Sequence, residues 1–194
     1  MKTCLTPTMA LISLLAIAPI PSVADQPAGS AGVISQEEQA IYESVLGSWL
    51  GEDQGRHLVN QELSAAPSSA NPGFADCAHG LRFRSDVPRG SSQQSLLGVH
   101  FSLQGIELVD GRKWKPADPG QAISTGESVQ TAVQEGFSGA LISFSRIAFS
   151  QDGKEALVKF SMVCGSLCGT GSMVHLHKSA AGWSVLSHCG NWIS

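Results

Sequence analysis

The first clear pattern along the chain is an apolar stripe at helical spacing. Its members are Ile41, Val45, Leu46, Trp49 and Leu50. Positions three and four apart share one face of an α-helix, so this spacing predicts an amphipathic helix whose apolar face packs on a core. Ser35 and Glu38 stand at the spacing of a capping box and mark the start of the helix. Gly51 or Gly55 marks its end, because glycine commonly follows the last turn.

The C-terminal part of the chain has the pattern of β-strands. The segments that alternate, or that are rich in β-branched and aromatic residues, cover residues 141–149, 156–163, 172–177 and 183–188. Short turn-forming segments, such as 179–182, separate them. This order predicts a four-stranded antiparallel meander in which Val174, Leu176 and Val185 belong to the core. With the N-terminal helix, it predicts an α+β fold in which the helix packs on one face of a C-terminal antiparallel sheet.

The middle of the chain is less regular, because Gly and Ser interrupt its apolar segments. Short strands are predicted at 81–83, 97–103 and 106–109. Asp110 and Gly111 have the composition of a hairpin turn that leads into a further strand at 112–115. A second short helix is predicted over residues 125–135, with Ser124 at the capping position.

The N-terminal segment has the three-part order of a secretory signal peptide. Lys2 supplies the positive charge, residues 9–20 form an apolar run, and Val23 and Ala24 supply small residues before the cut. The 12 residues of this run are fewer than the roughly 20 that a membrane-spanning helix needs. We therefore predict three parts: a cleaved signal peptide at 1–24, a flexible leader at 25–34 and a single domain at 35–194. The product would be periplasmic or secreted, with no transmembrane segment after processing.

Composition limits the partners that this domain can have. Cleavage after Ala24 would leave 170 of the 194 residues, which suits one domain with a sizeable core. The loss of Lys2 would change the net charge from −4 to −5. A mildly acidic chain without a Lys/Arg cluster lacks the electrostatic footprint of a nucleic-acid-binding protein. The expected partner is therefore a protein or a small ligand in the cell envelope.

Removal of Cys4 with the signal peptide would leave an even number of cysteines. They are Cys77, Cys164, Cys168 and Cys189. In an oxidising compartment an even set predicts two disulfides, for which three pairings exist. We favour Cys164–Cys168 as a short-range disulfide and Cys77–Cys189 as a disulfide that links the middle of the chain to its C-terminus. Because Cys164 and Cys168 lie between two predicted strands, a structural bond is favoured over a redox pair, which usually stands at a helix N-terminus. Half of a metal site is the third alternative for this spacing.

The C-terminal third also resembles a known family. It contains the strings SRIAFSQDGKEALVKF, CGSLCGTGSMVHLHK and GWSVLSHCGNWIS. These strings are similar to a family of exported bacterial proteins of unknown function that have a CGxLCGxG loop and a terminal Trp-Ile/Val-Ser. The overall layout is similar to the cystatin/NTF2-like α+β rolls. The resemblance implies a fold and an exported compartment but no activity, and Cys77 and Cys189 lie outside its pattern, which supports their pairing.

Three histidines form the main candidate for metal chemistry. His175 and His177 are two apart on a predicted strand and therefore share a face. If the turn pairs Lys178 with Trp183, His188 falls opposite Met173 on that same face. Three imidazoles on one face could bind zinc or copper. A register slip of one residue would send His188 to the other face.

Two further side chains are candidates for contact with a ligand or partner. Arg146 is a charge inside an otherwise apolar segment, and Trp114 stands between two lysines. The alternative for Arg146 is an exposed position on the strand. The alternative for Trp114 is that its ring anchors the loop by packing on the sheet. The sequence contains no G-x-S-x-G motif and no spacing that singles out an acid–base pair.

The leading hypothesis is therefore a non-catalytic, exported binding module that uses its sheet face or the loop around Trp114. No cofactor is expected under this hypothesis. The first alternative is a metal-binding protein or enzyme that uses His175, His177 and His188. The second is thiol redox chemistry through Cys164 and Cys168.

Overall fold

The computed structural model describes residues 34–53, 55–84, 95–165 and 168–194. Within these residues the helices are α1 (Gln36–Leu50), α2 (Phe74–Ala78), α3 (Pro119–Ser124) and α4 (Val129–Ser138). The strands there are β1 (His57–Asn60), β2 (Ile106–Val109), β3 (Leu141–Phe144), β4 (Ala148–Phe149), β5 (Glu155–Gly165), β6 (Cys168–Ser179) and β7 (Gly182–Ile193). The predicted signal peptide lies outside the described residues. Ile34, the last residue of the predicted leader, is only 7% exposed and packs in the core, so the packed domain includes it.

All the described strands belong to one mixed sheet. Its order is β2-β1-β3-β5-β6-β7, and β4 pairs with β5 beside this path. Strand β1 is parallel to both β2 and β3, whereas the pairs from β3 through β7 are antiparallel. The predicted α+β class and the C-terminal antiparallel meander are confirmed. The N-terminal parallel strands, which make the sheet mixed, were not expected.

Helix α1 begins as its capping pattern predicts and covers one face of the sheet. Ser35 Oγ accepts the backbone N–H of Glu38 at 3.2 Å, and the Glu38 carboxylate accepts that of Ser35 at 2.8 Å. The Tyr42 ring lies 5.1 Å from that of Phe144, and its hydroxyl donates to the carbonyl of Ser145 at 3.0 Å. Burial raises the pKa of this hydroxyl, which therefore stays protonated. We call this side of the sheet the α1 face; Val174 and Leu176 are buried on it and Val185 packs against them, as predicted.

The segment predicted as one strand at 141–149 is two strands, β3 and β4. The break falls at Ser145, a fully buried polar residue whose side chain bonds to backbone. Its hydroxyl accepts the backbone N–H of Lys159 at 2.8 Å and donates to the carbonyl of Arg146 at 2.7 Å. These side-chain bonds replace part of the regular ladder, which explains the interruption.

The predicted hairpin at Asp110-Gly111 is wrong. The backbone N–H groups of Lys113 and Trp114 both donate to the carbonyl of Asp110, so the chain makes a helical turn. Strand β2 instead pairs in parallel with β1, with His57 opposite Ile106.

Other predictions for the middle of the chain also need correction. Residues 97–103 and 81–83 form no strand, apart from a single bridge between Phe83 and Ser150. The second helix, predicted over residues 125–135, is observed as α4 and begins four residues later than predicted, whereas α3 lies before the predicted range. Helix α4 is capped by Ser128 instead of Ser124, and Ser128 Oγ accepts the N–H of Thr131 at 3.1 Å. Asn, Ser, Gly and Pro near these segments are compatible with several turn and loop conformations. Residue propensity alone therefore did not predict which secondary structure forms there.

The second face of the sheet is covered in its centre by the short helix α2, which the sequence did not predict. Cys77 of α2 and Cys189 of β7 are joined as a disulfide with their Cα atoms 5.6 Å apart. Cys77 packs there with Leu157, Ala148 and Met173. We call this side of the sheet the α2 face. None of the helices in the described part of the chain is long and apolar enough to cross a membrane.

Candidate functional site

The α2 face carries polar side chains on both sides of the apolar patch under α2. Because side chains alternate along a strand, Glu155, Leu157, Lys159 and Ser161 of β5 share this face. Leu157 is fully buried in the centre, below α2. Glu155 lies at one end of the row, whereas Lys159 and Ser161 lie at the other. The face therefore offers two separate polar regions.

In the first region one carboxylate joins two histidines. Glu155 Oε2 lies 2.8 Å from His175 Nε2, and Glu155 Oε1 lies 2.6 Å from His177 Nδ1. An ionised carboxylate only accepts, so each imidazole donates to it. The ring of His79, at the end of α2, lies 6.0 Å from that of His175. Within the described residues, no group of three or more His, Cys, Asp or Glu side chains is arranged to hold a metal ion.

The structure does not bring the three predicted histidines together, because His188 lies apart from His175 and His177. Lys178 does pair with Trp183, but β7 contains one extra residue, so His188 stands opposite Val174 instead of Met173. Directly opposite residues share a face, which places His188 on the α1 side. There its Nδ1 lies 3.0 Å from Ser172 Oγ. A single β-bulge thus separates the imidazoles, since one residue of slip reverses the face.

The Glu155 contacts predict a measurable role in stability. The side chain of His175 is only 6% exposed, whereas that of His177 is 39% exposed. We expect Glu155→Ala to lower the free energy of unfolding by about 1–3 kcal/mol, because it leaves a buried imidazole N–H without an acceptor. Urea unfolding at neutral pH measures this loss. His177→Ala is the matched control with a smaller expected loss, and an equal or larger loss in the control would contradict this assignment.

The second polar region is a cavity of about 300 Å³ that we call the Lys159 pocket. Its floor is formed by Ser143, Lys159 and Ser161 on the α2 face, with Ser143 directly opposite Ser161 on the neighbouring strand. One wall contains Asn71 and the other contains Trp192. The volume is at the lower end of the range for small-molecule sites in proteins.

Lys159 is a half-buried cation without a counter-ion in the described structure. Burial lowers the pKa of its ammonium group, and no described carboxylate offsets this. The hydroxyls of Ser143 and Ser161 likewise have no hydrogen-bond partner among the described residues. Asn71 Oδ1 accepts the backbone N–H of Ser68 at 2.8 Å, which leaves the amide NH₂ of Asn71 as a donor. The pocket therefore presents several hydrogen-bond donors that the folded chain does not use.

The two walls of the pocket are fixed to each other. The Cys77–Cys189 disulfide joins the segment after Asn71 to β7, close to Trp192. Between these points Gly73 and Gly190 touch through their backbones: a Cβ on Gly73 would lie 2.6 Å from Gly190 Cα. The indole of Trp192 packs on Gly171 in the same way, since a Cβ there would lie 2.6 Å from Trp192 Cε2. The pocket is thus preformed by close packing and a covalent link.

A second cavity, of about 500 Å³, lies beside Trp49 and His57. Its arginine already has a partner, because Arg56 Nε lies 2.6 Å from Glu107 Oε2. His57 Nε2 lies 3.8 Å from Asp53 Oδ2 and has no hydrogen-bond partner among the described residues. The Arg56 guanidinium is thus paired, unlike the Lys159 ammonium.

The remaining residues predicted from the sequence lie outside the pocket. The Trp114 indole N–H donates to the carbonyl of Gly139 at 2.9 Å, which favours its loop-anchoring role. Arg146 is partly buried in the connection between β3 and β4, and its backbone N–H donates to Ser64. Cys164 and Cys168 are joined across the β5–β6 hairpin, with their Cα atoms 5.2 Å apart. A redox role of that pair stays a prediction.

The sequence patterns did not single out Lys159, Ser143 and Ser161. A signal did exist: in ALVKFSMV the apolar alternation is interrupted on one face by a lysine and then a serine. A charge in the middle of a strand that is otherwise apolar indicates either an exposed edge or a pocket. A comparison of the chain with protein-family models, with curated proteins and with solved structures finds no significant match, so the resemblance to the exported family stays a prediction.

Proposed function

We propose that this chain is an exported binding domain that takes a small molecule into the Lys159 pocket without transforming it. The observation that carries the proposal is a preformed cavity whose floor presents unused hydrogen-bond donors. Unsatisfied polar groups in a partly buried site cost free energy unless water or a ligand satisfies them. The rigid walls reduce the ordering cost of binding, which favours recognition by a fixed site.

The disulfides support the exported part of the proposal. Cys77–Cys189 and Cys164–Cys168 account for every cysteine except Cys4. Disulfides form and persist in oxidising compartments and are rare in the reducing cytosol. A site whose walls are joined by a disulfide is suited to a ligand that the protein meets in the cell envelope or outside the cell.

A screen of small-molecule fragments against the oxidised full chain tests the proposal. We expect several fragments to bind by saturation-transfer NMR and to lose binding in Ser161→Trp, because the new indole fills the floor of the cavity. Ser184→Trp is the matched control, since it places the same side chain at an exposed position of β7. This control should retain the fragments that bind the wild-type chain.

Two outcomes would contradict the proposal. One is that no fragment binds the oxidised chain. The other is that the fragments bind Ser161→Trp and the wild-type chain equally well, which would place their site elsewhere.

A further inference from the structure

We infer that the Lys159 pocket recognises a singly charged carboxylate, with Lys159 as its counter-ion. This inference rests on the proposed binding function and adds the chemical class of the ligand. It follows from the charges, the donors and the size of the pocket.

The charges around the pocket favour one negative charge. Lys159 is the only charged side chain among the described residues that line the cavity. Glu155 lies four residues away on β5, about 13 Å at roughly 3.3 Å per residue, and its two oxygens already accept from His175 and His177. A monoanion would neutralise the ammonium group in place, whereas a dianion would leave an uncompensated charge in a partly buried site.

The donors suit the two oxygens of a carboxylate. A lysine ammonium has three N–H donors, and a serine hydroxyl has one. Ser143 and Ser161 are directly opposite on neighbouring antiparallel strands, so their Cβ atoms are about 5 Å apart. Lys159 stands two residues from Ser161 on the same face, about 7 Å along the strand, within reach of its long side chain. Two hydroxyls and one ammonium can therefore converge on one carboxylate group.

The burial of Lys159 has a cost that such a ligand would offset. The pKa of the ammonium is lowered by desolvation, with no described charge acting against this effect. A carboxylate bound beside it supplies a charge-assisted hydrogen bond, the stronger kind in proteins.

The size of the cavity and its apolar walls limit the rest of the ligand. A volume of about 300 Å³ corresponds to about ten water molecules, at roughly 30 Å³ each. Met173 and Trp192 give the cavity an apolar side, and Trp192 is 44% exposed. A short apolar or aromatic group attached to the carboxylate would pack there. The ligand class is thus a small organic monocarboxylate.

Matched acids and amides test this inference. We would titrate the oxidised full chain with two acid–amide pairs, benzoate with benzamide and phenylacetate with phenylacetamide, and with phenyl phosphate. We would also sort all fragments that bind in the cavity by their charge. We expect carboxylates to bind at least about ten-fold more tightly than their amides. Lys159→Met should weaken the carboxylates by about ten- to one-hundred-fold, the range of a lost hydrogen bond to a charged group, and should leave neutral fragments unchanged. Lys154→Met, at an exposed lysine outside the pocket, is the matched control; Lys159→Gln replaces Lys159→Met if that variant fails to fold.

The outcomes separate this inference from the function on which it rests. If Ser161-dependent fragments bind regardless of charge, or keep their affinity in Lys159→Met, the carboxylate inference is overturned and the binding function stands. Tighter binding of phenyl phosphate through Lys159 would also overturn it in favour of a phosphate ligand. If no fragment of any charge binds, the proposed function itself fails.

Discussion

Replacing both Cys77 and Cys189 with alanine will lower the free energy of unfolding by about 4–5 kcal/mol, the entropy expected for a loop of this length. The bond joins residues 112 positions apart, so its removal frees a large part of the unfolded chain. It also releases α2 from β7 and with it one wall of the Lys159 pocket. Urea unfolding of the oxidised protein measures the loss of stability, and fragment titration measures the expected weakening of binding.

The pair Cys164→Ala and Cys168→Ala is the matched control for this experiment. That disulfide closes a separation of only 4 residues, for which the same entropy relation gives about 2 kcal/mol. It also lies outside the residues that line the pocket. Equal losses of stability for the two pairs would show that loop closure does not explain the contribution of Cys77–Cys189.

Gly73→Ala will lower the free energy of unfolding by about 2–5 kcal/mol, from backbone strain and a steric clash together. Gly73 has a φ of 74°, in the left-handed region that favours glycine. The new methyl group would also lie 2.6 Å from Gly190 Cα, a backbone atom that no change of side-chain rotamer can move away. Thermal and urea unfolding measure the effect.

Gly80→Ala separates the two causes. Gly80 has nearly the same φ, 77°, but a Cβ there has nothing within 4 Å. Its expected loss is about 1–2 kcal/mol, which is the strain alone. If Gly73→Ala destabilises the protein no more than Gly80→Ala does, the contact between Gly73 and Gly190 is not a tight one.

The parts of the fold that the sequence predicts well are those set by local periodicity. Helix α1 is fixed by its capping box at Ser35 and its apolar stripe, and β5 to β7 are fixed by alternation and turns. These signals act over neighbouring residues and need no knowledge of the rest of the chain.

The parts that were missed depend on distant partners. Strand β1 becomes a strand because β2 and β3 flank it, although its four residues carry little pattern of their own. The pocket likewise depends on contacts between residues that are distant in the sequence. Lys159 can be recognised in the sequence as a charge within an apolar strand. Asn71 and Trp192, however, reach it only through the disulfide and the Gly73–Gly190 contact. The position of His188 was missed because one extra residue in β7 reverses its face, and periodicity alone does not locate such a residue.

The register shifts between β6 and β7 also affect how readily the edge of the sheet can pair with a strand of another molecule. Strand β7 forms one edge of the sheet over 12 residues, long enough to serve as a template for another chain. Its pairing with β6 shifts between Gly171 and Met173 and again between His175 and Leu176, and each shift places an extra residue in β7. A bulged strand bends and twists, so its outer row of N–H and C=O groups is not evenly spaced. The irregularity that moves His188 away from the other histidines is thus of the kind by which natural proteins disfavour edge-to-edge pairing of strands.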